Sequence, residues 1–305
     1  MVEIVQERFE LRNDVGDELR LDGPIYVTAH DGLGLVKPRR YAQTGPQQDG
    51  QTLGAAYLNP RVVTFALHYH TDDEPALLSA RDELAFMLNN LNSPIHLVCI
   101  YPDGVERRLD VLHYDGAMAP RAASDLYYYA DDVIQLIADD PVLYEVPLRV
   151  LTWSLAEYYY GLWAKGVEVP VEVPIFVGSS TISQVQTLTY ASSWGTYPII
   201  RFSGPCTSPQ IRNVTTGEKI AFEAGTEIGE NDYYEVDCRY GYKQVLNSAG
   251  KPRTGELTND SDLATFHIAP HPEALNGINE IWAVAMSCTT ETEIIMQYYI
   301  RWWSI

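Results

Sequence analysis

Apolar and polar residues trade places with a period of two along much of this chain, and the longer period of an amphipathic helix stands out once. Arg61 to His70 alternates in this way. So do Tyr234, Val236 and Cys238 against Glu235, Asp237 and Arg239, and Ile294, Met296, Tyr298, Ile300 and Trp302 against Ile295, Gln297, Tyr299 and Arg301. Side chains two apart on an extended chain share a face, so each segment predicts a strand with one buried side. The helical exception runs from Asp72 to Leu91, with Leu77, Leu84, Leu88 and Leu91 on one face and Arg81, Asp82, Asn89 and Asn90 left for water. Asp72 or Asp73 can cap its first turn, and Pro75 fits inside that turn. Gly and Pro punctuate the other apolar stretches, and the predicted class is mainly β.

The order of these segments predicts two domains. Ile95 to Tyr101, a Pro102-Asp103-Gly104 turn and Arg107 to Tyr114 form a hairpin beside the Arg61 strand and the helix. Together they make a β-rich first domain, 1–148, whose last strands close near Pro141. In 149–176 the run Val167 to Pro174 carries a proline every fourth residue, which excludes both a helix and a central strand and predicts an extended linker or edge strand. From Val177 onward strand follows strand between Gly, Asn and Pro turns, so 177–305 is predicted to be an antiparallel sandwich.

Charge narrows the function. The 305 residues include 41 acids and 21 bases, a net charge of −20. Nucleic-acid binders present clustered Lys and Arg, so DNA recognition is disfavoured. An acidic wall does suit a channel through which DNA passes without adhering. Cys99, Cys206, Cys238 and Cys288 stand too far apart for a zinc ribbon or thioredoxin motif and are expected to be reduced and mostly buried. No uncharged apolar run approaches the roughly 20 residues that span a bilayer. Asn213-Val214-Thr215 and Asn259-Asp260-Ser261 match the glycosylation pattern only by chance.

Candidate chemistry is sparse. His68 and His70 share a strand face but lack a third ligand at metal-binding spacing, and Pro270 and Pro272 exclude the helix that would align His267 with His271. Asp131-Asp132 and Asp139-Asp140 lie outside any calcium-loop pattern and are taken as solvated loop acids. Gly32-Leu33-Gly34 lacks the third glycine of a phosphate cradle. Tyr127-Tyr128-Tyr129, Tyr158-Tyr159-Tyr160, Trp302 and Trp303 exceed what one sheet face buries, which points to a subunit interface or, second, to a sugar-stacking surface. No residue is assigned a catalytic, cofactor-binding or metal-ligating role, and no cofactor is expected.

Gly195 to Gly204 (GTYPIIRFSG), Pro209 to Gly217 (PQIRNVTTG), the Asp-led strand Asp232 to Arg239, and Tyr298 to Trp303 follow one another in the order found in siphophage distal tail proteins. The Val-x-Val-Pro repeat before them, and in the first half Asp49-Gly50, Arg61, the Arg81 helix, Pro102-Asp103-Gly104 and Asp140 to Tyr144, extend the similarity over nearly the whole chain. The chain therefore resembles that family of bacteriophage tail-tip and baseplate proteins. The resemblance implies a first domain that joins five other copies in a hexameric ring lining a channel, and a galectin-like second domain outside it. It implies a structural virion protein, assembled in the cytoplasm of the bacterial host, that connects the tail tube to the host-adsorption apparatus and lets DNA pass unbound. Its partners would be copies of itself, the tail tube protein, the tail hub or tail-associated protein and the tape measure protein, with at most weak glycan contact and no membrane. Lumen acids are expected among Asp72, Asp73, Glu74 and the two Asp pairs. The competing reading is a carbohydrate-binding adsorption protein. A glycan-cleaving enzyme built on an acid pair is a third.

Overall fold

The computed structural model describes residues 7–89, 95–116, 129–154 and 181–304. The chain divides into two compact units, Met1–Pro147 with Arg301–Ile305, and Leu148–Ile300.

The first unit contains β1 (Arg8–Arg12), β2 (Glu18–Arg20), β3 (Ile25–Asp31), β4 (Pro38–Gln43), β5 (Thr52–Leu58), β6 (Arg61–His70), α1 (Glu74–Leu88), β7 (Ile95–Ile100), β8 (Glu106–Gly116), β9 (Tyr129–Ala138) and the start of β10 (Leu143–Ser154). Among the described residues, the pairings within this unit are antiparallel. One sheet runs β10-β8-β7-β1-β2, and a second runs β3-β6-β9. Strand β8 serves both: Glu106 to Val111 pairs with β7, while Leu112 to Gly116 pairs with β9 across a register shift between His113 and Asp115. A bulge of this kind bends and twists a strand, which lets one strand turn from sheet to sheet. The inward residues of the alternating strands, among them Phe9, Leu11, Val63, Phe65, Leu67, Leu97, Leu109, Ile134 and Leu136, form one core with Leu77, Leu84 and Leu88 of α1. In β6 the alternation is complete from Arg61 to His70.

Helix α1 begins one residue after Asp73, whose carboxylate accepts from the Ala76 N–H at 2.8 Å, with Pro75 in the first turn. It ends at Leu88, so the expected Leu91 contact lies outside the described residues. The β7–β8 turn is built as its sequence demands. Gly104 adopts φ +84°, its N–H reaches the Tyr101 carbonyl at 2.9 Å, and Asp103 accepts from Val105 N–H at 3.0 Å.

The second unit holds β11 (Ile182–Thr189), β12 (Ile199–Ser203), β13 (Cys206–Asn213), β14 (Lys219–Ala221), β15 (Glu227–Ile228), β16 (Tyr233–Asp237), β17 (Gln244–Asn247), β18 (Ile278–Met286) and β19 (Glu293–Trp302). One antiparallel sheet is β17-β16-β12-β19. The other is β11-β18-β13, with β14 and β15 both paired to β13. Their buried residues, including Phe202, Val236, Ile294 and Met296 from one sheet and Ile182, Ile211, Ile281 and Ala283 from the other, form a single core. That core also takes in Trp153, from the far end of β10. All four cysteines are buried and free.

Three expectations need correction. Residues 149–154 belong to β10 rather than to a linker, and the Pro-punctuated Val167 to Pro174 and the Tyr158 to Tyr160 run lie outside the described residues. The 177–305 domain loses its end, because Arg301–Ile305 group with the first unit. The alternation of β19 also breaks at that point. Arg301, on the polar side of that alternation, is 5% exposed, because it belongs to the first unit and pairs there with Asp140.

Candidate functional site

Within the first unit, three arginines organise the segment that begins at Arg301. Arg301 grips both carboxylate oxygens of Asp140, at 2.7 and 2.6 Å, and lies over the Tyr144 ring. The Tyr144 hydroxyl donates to the same carboxylate. Arg107 lies 4.3 Å from the Trp302 ring centre and 4.8 Å from that of Tyr101, and donates to the Ser304 carbonyl at 3.1 Å. Trp302 donates its indole N–H to Glu145 at 3.0 Å. Arg61 is fully buried and directs its donors to four backbone carbonyls, those of Pro141, Gly32, Gly34 and Trp303, at 2.6 to 2.8 Å. Burial pulls its pKa down, since the charged form loses hydration. The terminal tryptophans, offered by the sequence as interface or sugar platforms, thus make intramolecular contacts, and Gly32 and Gly34 supply carbonyls to an arginine. Tyr127 and Tyr128 lie outside the described residues.

The sequence-level acid and histidine candidates divide. His68 and Asp131 are cross-strand partners on β6 and β9, with Nδ1 2.6 Å from Oδ1. Among the described residues no group of three His, Cys, Asp or Glu side chains is placed to hold a metal. Asp131 and Asp132 are not loop acids: both sit in β9, Asp131 exposed and Asp132 buried, because neighbouring strand residues face opposite ways. Asp139 is exposed, whereas Asp140 is engaged by Arg301.

A groove of about 730 Å³ opens on this face of the first unit, lined by Thr28, Ala66 and Val133 together with Asp115, Asp131 and Asp132. Gly116 also lines it and is fixed there by sterics. It adopts φ +87°, and a Cβ would stand 2.0 Å from the Val133 carbonyl oxygen. Gly32, after β3, repeats the arrangement against Val62, and each glycine donates its N–H to the aspartate before it, Asp31 or Asp115, at 2.8 Å.

In the second unit a cluster that sequence inspection missed surrounds His267. Its Nδ1 is 2.9 Å from Glu218 and its Nε2 2.9 Å from Glu273. Burial alone would lower the imidazole pKa, but the two carboxylates carry it up to about 9. Beside it Tyr197 packs on Tyr240, whose ring is 66% exposed, and Tyr242 is also exposed. Lys243 lies over the Tyr240 ring and Arg239 over that of Tyr242. A sugar stacks on an open aromatic face, and here a cation already covers one face of each ring. Only the fold brings these segments together, so no local pattern in the sequence announces them. Nearby, the Asn213 of the chance glycosylation match has its side chain fully buried.

No protein-family model matches this chain, and no curated protein matches it significantly. Its fold is similar to that of the SPP1 Dit protein, a paradigm of the hub adsorption apparatus in phages infecting Gram-positive bacteria. That match has a TM-score of 0.59 at 13% identity and covers 95% of this chain and 98% of the other. A looser match, TM-score 0.48 at 8% identity over 96% and 98% of the two chains, is to a component of the phage p2 baseplate in its activated conformation with strontium.

Proposed function

We propose that this chain is a structural, non-catalytic component of a siphophage tail tip. Six copies of its first unit form a ring that joins the tail tube to the adsorption apparatus and lets DNA through. The second unit is a galectin-like sandwich carried outside the ring. The observation that carries this reading is the likeness in fold to SPP1 Dit along nearly the full length of both chains. The distal-tail motifs in the sequence point the same way. A net charge of −20 suits a wall that DNA slides past, and Asp72, Asp73 and Asp139 are exposed to serve there.

Electron microscopy and solution mass of the purified protein test the ring. Closed six-membered particles support it. Monomer alone at high micromolar concentration, with or without the neighbouring tail proteins, overturns it. Changing Asp72, Asp73 and Asp139 to Lys tests the wall: DNA release should slow at low salt and recover as salt screens the attraction. The second reading, carbohydrate binding, is favoured only by exposed Tyr240 and Tyr242, and a glycan array with a Tyr240→Ala, Tyr242→Ala control decides it.

A further inference from the structure

Among the described residues, strands β4 and β5 pair only with each other. Leu35, Tyr41, Leu53 and Tyr57 on and beside this hairpin are 70%, 47%, 57% and 62% exposed. A lone two-stranded ribbon is marginal in water, and exposed apolar and aromatic residues on it mark a surface awaiting cover. The hairpin is also an electrostatic exception. Residues 32–60 contain Lys37, Arg39 and Arg40 and a single acid, Asp49, in a chain with nearly twice as many acids as bases. Arg39 and Arg40 are exposed, and Arg39 lies over the Tyr41 ring.

The groove on β3, β6, β8 and β9 has the complementary character. Two exposed acids, Asp115 and Asp131, line it beside Ala66 and Val133, no basic residue is among its described lining, and Val133 is half exposed. No hairpin residue lines the groove of its own chain. We propose that the β4–β5 hairpin of one copy seats in the Asp115–Asp131 groove of the next, placing Lys37, Arg39 and Arg40 against the carboxylates and an aromatic of the hairpin on Val133.

This rests on the ring reading and gives it a geometry. A contact in which patch and groove are different surfaces is heterologous, and repetition of such a contact generates a ring when the rotation closes. A self-complementary patch would stop at a dimer. The occupant is a second copy because the same chain supplies both charge patterns. Its acidic surface is repelled from the groove, whereas the basic hairpin enters without like-charge penalty.

The test uses full-length protein and exposed residues. One variant carries Arg39→Glu and Arg40→Glu, a second Asp115→Lys and Asp131→Lys, and a third all four changes. Assembly is followed by analytical ultracentrifugation, and folding by thermal melting. The first two variants should each need roughly tenfold more protein to assemble than the wild type, while each still melts cooperatively. The four-fold variant should recover assembly, as should an equimolar mixture of the first two, which can alternate around an even-membered ring. Carbodiimide coupling of mixed light and heavy-isotope wild type should join Lys37 of one copy to Asp115 or Asp131 of another. Wild-type assembly with unaffected single-patch variants, or a well-folded four-fold variant that stays apart, overturns the hairpin contact and leaves the ring standing. Failure of the wild type itself to assemble removes both.

Discussion

The buried guanidinium of Arg61 donates through Nη2 to the backbone carbonyl of Trp303, 2.6 Å away, so the first residue of β6 holds the chain's returning end. Its remaining donors go to other carbonyls and to no carboxylate. Removing the guanidinium leaves four backbone carbonyls, that of Pro141 buried, short of a donor, so Arg61→Met should destabilise the first unit by about 2–4 kcal/mol. Ending the chain at Ile300 should weaken the same unit by a similar amount while the Leu148–Ile300 unit keeps its protection. Hydrogen exchange resolved by segment checks both. Uniform loss of protection in the two units would contradict the assignment of Arg301–Ile305 to the first.

His267 makes the second unit sensitive to alkaline pH. Its folded-state pKa of about 9 lies above the ordinary 6.5, because Glu218 and Glu273 outweigh burial. Below 6.5 the imidazole is charged in both folded and unfolded chains, and the ion pairs contribute fully. Between 6.5 and 9 the unfolded chain releases its proton first, so stability falls with rising pH, by about 1–3 kcal/mol in all. Urea denaturation of wild type and His267→Gln at pH 6 and pH 9.5 checks the sign. The difference between the two proteins should shrink at the higher pH, and a constant difference would refute the linkage.

Two buried amides hold the loops of the sandwich. Asn213 donates to His267 carbonyl at 2.9 Å and to the Asn279 side-chain oxygen at 3.1 Å, while Asn279 donates to the carbonyls of Ala269 and Gly277 and accepts from Ala269 N–H. Asn279→Leu should cost about 2–4 kcal/mol, since it strands these backbone groups without water. Asp73→Ala, which removes only an exposed helix cap, should cost about 1 kcal/mol. Denaturant midpoints of the two variants should rank in that order.

Two glycines with nearly the same φ should respond differently to alanine. Gly104 at +84° has open space where a Cβ would stand, whereas at Gly116 that atom meets the Val133 carbonyl. Gly104→Ala should therefore cost only the left-handed penalty of about 1–2 kcal/mol, and Gly116→Ala clearly more, with a shift at the groove. Equal melting temperatures for the two variants would show that β8 yields where the packing says it cannot.

The elements that the sequence foretold are those whose signal is local. The β6 alternation, the capped helix at Asp73 and the Pro102-Asp103-Gly104 turn depend on neighbours a few residues away, and each forms where its pattern lies. Arg301, Asp132 and Asp140 went the other way, because a charged side chain in an alternating strand looks solvated until a partner from a distant segment appears. Asp140 stands far from Arg301 along the chain, and only the return of β19 joins them. The same limit hid the groove, whose three aspartates come from two strands, and the aromatic cluster around His267, gathered from separate loops. The basic run at Lys37, Arg39 and Arg40 lay in the sequence, but only its folding into a hairpin of β4 and β5 gave it meaning.

The crossing of the chain between units carries a last consequence. It leaves the first unit after Pro147 and re-enters it at Arg301, and Trp302 bonds Glu145 only two residues before the exit. The second unit is therefore a guest threaded through one loop of its host, with its two junctions side by side. A guest inserted this way should tolerate exchange, enlargement or excision, provided Arg301 to Ser304 are kept and the junctions are rejoined by a short linker.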